Sequence, residues 1–289
     1  MMVCLFYRKA LFLCIFTIYI LFSIKLYADD YFTSFEEDFA INIFTKYNMG
    51  IFTDINHPEY RTDKPFEIGI GIRYKTISAK LSVPILFNDI FNIWAFDFEM
   101  DAYFDNIFYE AYFKHYPYFF IEDTDKQSDL SIHSSGIMAT FVHNNKNHSL
   151  SSVMSLDSKQ NISSGSLLYG FGVFHSSIFS TEELQERYNE RQHLLYFGPS
   201  IGYSYTWVFR YGVFLNSSLV FFANPGINIS TGNWLFIPQF EPKIVVGHHN
   251  STWSANLIMK NNAKFIIWNK DDVDILTLVS ITVTFSKRF

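Results

Sequence analysis

The stretch Val279-Ser280-Ile281-Thr282-Val283-Thr284-Phe285-Ser286-Lys287-Arg288-Phe289 divides by parity. Val279, Ile281, Val283, Phe285 and Phe289 fall on one side, interrupted only by Lys287, while Ser, Thr and Arg fill the other. Side chains of a β-strand point alternately to opposite faces, so this segment asks for an apolar medium on one face and a polar one on the other. An aliphatic and aromatic face of this length suits lipid.

The same dyad recurs upstream. From Glu67 to Lys75, Ile68, Ile70, Ile72 and Tyr74 oppose Glu67, Gly69, Gly71, Arg73 and Lys75, and a tight reversal at Thr76 leads into Ile77, Ala79, Leu81 and Val83 against Ser78, Lys80 and Ser82. Phe96 to Phe104 repeats it, and Asp105-Asn106 supplies a hairpin turn into Tyr109, Ala111 and Phe113. Further strands are expected near 39–47, 132–142, 149–157, 165–176, 194–206, 210–222, 233–247, 252–268 and 276–286. That makes thirteen segments, whereas a bacterial single-chain barrel has an even number. Long and short connections alternate through the first half and lose phase near 177–192, where Thr181 to Arg187 carries a helical capping pattern. The expectation is an all-β, transmembrane, antiparallel up-and-down barrel of about 12 strands, within a range of 10 to 14. A secreted β-sandwich is the alternative, but it would turn polar residues outward.

Arg8 and Lys9 precede an apolar run from Ala10 to Ile24, followed by Lys25-Leu26-Tyr27-Ala28. This reads as a secretory signal peptide over residues 1–28, ahead of a barrel over 29–289. Both cysteines, Cys4 and Cys14, lie within it, so the remainder can form no disulfide or thiolate site. Removing Arg8, Lys9 and Lys25, with no acidic residue, moves the formal charge from −6 to −9. An acidic chain disfavours nucleic acid as a partner. Residues are 49% apolar and 19% aromatic, yet no apolar run beyond Ile24 approaches a membrane helix, so the apolar content is dispersed in alternating segments.

Ile68-Gly69-Ile70-Gly71-Ile72-Arg73-Tyr74-Lys75, Leu81-Ser82-Val83-Pro84, Phe96-Asp97-Phe98-Glu99-Met100, the Tyr-rich 112–118, Gly165-Ser166 and Phe197-Gly198-Pro199-Ser200-Ile201-Gly202-Tyr203 together resemble an uncharacterised family of bacterial outer-membrane barrels, a domain of unknown function. The chain departs at Tyr116-Pro117-Tyr118-Phe119-Phe120, where such sequences tend to place a glycine. The resemblance implies the cell outer membrane and a barrel, and no reaction. The last strand likewise resembles the closing strand of outer-membrane barrels, which implies that Phe289 is an assembly signal read by the barrel-assembly machinery.

Candidate chemistry is sparse. His133-Ser134-Ser135, His143 with His148, and His175-Ser176-Ser177 offer Ser and His atoms but match no catalytic pattern. His248-His249 would point to opposite faces of a strand, so a turn is expected there and no metal site. Gly69, Gly71, Gly170 and Gly172 precede no helix and read as space-making positions. The patterned constellation is an inward ladder of Asp97, Glu99, Asp101 and Glu110, with Arg73, Lys75 and Lys80 on the inward parity of the preceding hairpin. A charge-lined pore and a salt-bridged, filled lumen both fit it. The expected protein is a non-enzymatic barrel without catalytic residues, metal or cofactor, in contact with outer-membrane lipid and passing small polar solutes or ions. A non-conducting surface-interaction barrel, with outer loops 48–66 and 117–131, and a lipid-modifying enzyme are the alternatives.

Overall fold

A computed structural model describes residues 31–54, 59–62, 66–85, 96–104, 106–116, 119–121, 126–128, 130–179, 191–269 and 272–289. Twelve antiparallel strands form the wall: β1 (Phe39–Asp54), β2 (Phe66–Tyr74), β3 (Ile77–Pro84), β4 (Asp97–Phe104), β5 (Ile107–Tyr116), β6 (Ser131–Val142), β7 (Ser164–Phe179), β8 (Gln192–Val208), β9 (Val213–Asn228), β10 (Trp234–His249), β11 (Trp253–Asn269) and β12 (Asp272–Arg288). Each pairs with its sequence neighbour, and β12 returns to β1 from Asp274↔Asp54 to Arg288↔Ala40. Closure leaves the wall without a free edge, the condition a sheet must meet in hydrocarbon.

Parity in every strand follows the sequence. Ile43, Ile70, Ile137, Ile201 and Val283 are among the most exposed aliphatic residues, all on the outer face. The opposite parity carries Asn42, Lys46, Glu67, Ser82, Asp97 and Asn216, all buried. An apolar outer belt around a polar-containing interior inverts the order of a water-soluble sandwich and identifies a membrane-spanning barrel. Glycines give the interior room at particular places. A side chain at Gly69 would collide with the Phe44 ring, and one at Gly136 with Phe174.

Three layers fill the inside. At the end where β1 begins and β12 finishes, the connection 143–163 between β6 and β7 folds inward, with a single turn of helix, α1 (Ser151–Met154). Ser158–Gln160 pairs with Phe32–Ser34, so the residues before β1 are part of this floor. Val153 packs with Phe108, Val142, Leu168, Phe214 and Val245. At the outer end Tyr60–Thr62 pairs with Phe119–Ile121, joining two outer loops into a small sheet over the mouth. Its Tyr60 and Phe119 belong to one apolar cluster with Phe52, Tyr116, Phe174 and Tyr196. Burying such rings contributes roughly 1.5–3 kcal/mol each. Charged side chains occupy the middle.

The expected strand at 149–157 is the one that does not join the wall. Its alternation is real, but both of its faces are buried, because the segment lies inside the barrel. Leu156, with φ 55°, turns the chain back toward Ser158. Removing that segment turns thirteen into twelve. His248 and His249 are the last residues of β10 instead of a turn. His248 stacks on Trp253, and His249 points inward to Ser254 at 2.9 Å. The signal segment 1–28 and the capping pattern at 181–187 lie outside the described residues.

Candidate functional site

The middle layer is a lattice of lysines and carboxylates projected inward from both halves of the wall. Lys46 on β1 bonds Asp97 and, at 3.0 Å, Glu99, both on β4. Lys114 on β5 reaches the same two carboxylates at 3.2 and 2.9 Å. Lys46 spans the two intervening strands, β2 and β3, to do so. Lys80 meets Asp101 at 3.4 Å. Glu67 accepts from Asn48 and Ser82, both at 2.6 Å.

Across the lumen, Lys260 lies 3.5 Å from Glu241, which also accepts from Gln239 and Asn262. Two contacts bridge the halves. Lys243 on β10 lies 3.8 Å from Glu110 on β5, and Lys264 on β11 donates to Ser134 on β6 at 2.9 Å. In a ring of twelve, strands five steps apart are nearly opposite, so both are struts across the diameter. Lys243 also approaches the Sδ of Met154 at 3.7 Å, tying the strut to the floor.

Asp97, Glu99, Asp101, Glu110 and Lys80 therefore face the interior, as does Arg73. Arg73 does not join the lattice. It sits at the floor, donating to the carbonyls of Lys75 at 3.0 Å and Glu37 at 3.2 Å. Lys75 is not a lumen residue. It occupies the two-residue turn with φ 53° and is 58% exposed, 4.0 Å from Asp38, because the strand ends one residue before the parity pattern does. The partners that sequence reading left out are Lys46, Lys114, Lys243, Lys260, Lys264 and Glu241. Their signal was present: each stands on the inward parity of a strand whose outer parity is apolar.

Six lysines (46, 80, 114, 243, 260, 264) meet six carboxylates (67, 97, 99, 101, 110, 241) in this layer, so the acidic ladder presents no bare negative face. Removing two charges from water costs several kcal/mol per ion unless geometry and extra hydrogen bonds return it, and here most carboxylates have two partners. The space left among them is a cavity of about 90 Å³, lined by Lys46, Glu99, Glu110, Lys114, Lys260 and Lys264. A single water needs about 10–15 Å³ of such space, so the cavity has room for more than one.

The Ser and His neighbours separate onto opposite faces. Ser134 and Ser176 point inward, to Lys264 and to the Tyr196 hydroxyl at 3.0 Å, while His133 and His175 point outward. His143 bonds the Tyr169 hydroxyl, and His148 is enclosed in the floor. None of these histidines is hydrogen-bonded to its neighbouring serine.

Three solved barrels illustrate what the chain is similar to. The outer membrane protease OmpT of Escherichia coli aligns with a TM-score of 0.36 and 10% identity over 89% of this chain and 99% of that one. The COG4313 outer membrane channel of Pseudomonas putida F1 gives 0.37 and 5% over 92% and 100%. The transport unit of the autotransporter AIDA-I of Escherichia coli gives 0.36 and 11% over 93% of each. No curated protein matches in sequence. A closed twelve-stranded wall with a lipid-facing apolar belt makes the protein an integral barrel of the bacterial outer membrane. The family profile matches residues 27–286, and the chain belongs to that family, the domain of unknown function DUF4421.

Proposed function

We propose that this protein is a barrel closed at rest, non-enzymatic, whose work is done at the membrane surface by its capped outer end. The observation that carries this reading is the pair of struts, Lys243 to Glu110 and Lys264 to Ser134, which cross the lumen between the apolar cap and the folded floor. An apolar layer above a charge-balanced one is a poor path for a small polar solute, which would lose its hydration at the first and find no net field at the second. Outer-membrane lipid meets the aliphatic belt, and Phe289 is the proposed contact for the assembly machinery.

Planar-bilayer recording tests it. Wild-type protein should give no stepwise conductance at low voltage, and stable open-channel currents would overturn the reading. A second reading, passage of small polar solutes through a gate, is favoured by one feature. The floor is held by side-chain and loop hydrogen bonds, such as Gln160 Nε2 to the Asn147 carbonyl at 2.6 Å, and not by the wall ladder. Replacing 144–162 with a short Gly-Ser turn should leave the closed barrel silent, whereas conductance from that variant would favour the gate. Phospholipid and peptide substrates should show no turnover. Hydrolysis abolished by His133→Ala or His175→Ala would show the assignment as non-enzymatic to be mistaken.

A further inference from the structure

Four of the chain's nine histidines gather on the outward face of β5 to β8 near the outer rim. His115 and His133 are direct cross-strand partners with stacked rings 3.8 Å apart. On the far side of His133 its partner is Ser177, and the partner of Ser177 on β8 is His193. His175 lies two residues from Ser177 on the same face, and its Nε2 is hydrogen-bonded to the Nδ1 of His193 at 3.2 Å, the two rings stacked. Ser177 is only 3% exposed although its parity is outward, and its Oγ has no hydrogen-bond partner. The Nδ1 of His115 is likewise buried and unpartnered.

Two imidazole nitrogens bound to one zinc-type ion at about 2.0–2.1 Å stand roughly 2.9 Å apart at a right angle and about 3.3 Å apart at the tetrahedral angle. The 3.2 Å between His175 and His193 falls in that interval. Imidazole donors without carboxylate or thiolate suit zinc, nickel and copper over magnesium or calcium. Imidazoles packed this closely would repel one another if all were charged, which favours neutral donors to a cation over a cationic seat for a lipid phosphate. Among the described residues no three or more His, Cys, Asp or Glu side chains converge to enclose a metal ion.

We propose that His175 and His193 clamp a divalent transition-metal ion of the zinc, nickel or copper class on the outer wall, with water in the remaining positions. Ser177 is placed beside the pair to hydrogen-bond such a water. The sheet fixes both backbones, so little ordering remains to be done on binding.

The test uses full-length, untagged protein folded in detergent. Calorimetric titration with Zn²⁺ at pH 7.5 should reveal one saturable site per chain, lost at pH 5 as protons compete for the imidazoles. The Cu²⁺ form should give an electron paramagnetic resonance spectrum with hyperfine structure from two nitrogens. His175→Gln or His193→Gln should each weaken Zn²⁺ binding ~10-fold or more, the scale on which metal-site changes act, with His115→Gln close to wild type. Heat-modifiable gel migration checks that each variant is folded. Absence of a saturable site, unchanged binding by the folded double variant, or an equal loss on His115→Gln would each overturn the clamp.

Discussion

Lys46 is the side chain on which the middle layer turns, because it joins β1 to the two carboxylates of β4 that Lys114 holds from the other side. Lys46→Met should lower barrel stability by about 3–5 kcal/mol, the cost of leaving a buried charge short of its partner. Urea unfolding in detergent measures it. Pairing the change with Asp97→Leu should return much of that loss, since removing both ions also removes their desolvation. Ile281, on the outer parity of β12, tests the other face: Ile281→Arg should cost about 2–4 kcal/mol in equilibrium refolding into lipid vesicles. Lys75→Ala, in an exposed turn, should stay within about 0.5 kcal/mol.

The floor is the element whose behaviour differs most from the wall, and its chemistry makes it sensitive to acid. His148 is fully buried, and burial pushes its imidazole down to about 4, partly offset by the Ser164 backbone. With an ordinary value of 6.5 when the segment is released, the released form binds more protons between those limits. Seating is therefore strongest above pH 6.5 and weakens as pH falls toward 4, by about 2 kcal/mol at pH 5. The protection of the 143–163 amides, corrected for the intrinsic slowing of exchange in acid, should fall between pH 7 and 5, and His148→Leu should flatten that dependence. Burial raises the carboxyl of Asp157, which acts in the opposite sense at lower pH. Sequence made the wall legible because parity is a local property of each strand. Residues 149–157 carried the same alternation, and nothing local separates a strand facing lipid from a segment buried on both faces. The acidic ladder was legible for the same reason as the wall, whereas its lysine partners on β1, β10 and β11 depend on which strands face one another across the closed ring.

Over the whole molecule, the seam between β12 and β1 is the last requirement of the fold. Phe289 extends it, its amide donating to the Phe39 carbonyl at 2.9 Å while the ring stays 63% exposed. Deleting Phe289 should thus reduce folded yield in cells far more than in detergent refolding, and equal losses in both would make it a structural residue only. The seam also imposes an order in time. Its two strands are the first and last of the wall, so the ring stays unshut until nearly all of the chain has arrived, and by then the residues that occupy its inside must have found their places. A shut ring offers no edge from which to begin again. A substitution that slows the arrival of Leu150 to Met154 would therefore be felt as delay, with unpaired strand edges exposed for longer, even where the finished barrel is as stable as before.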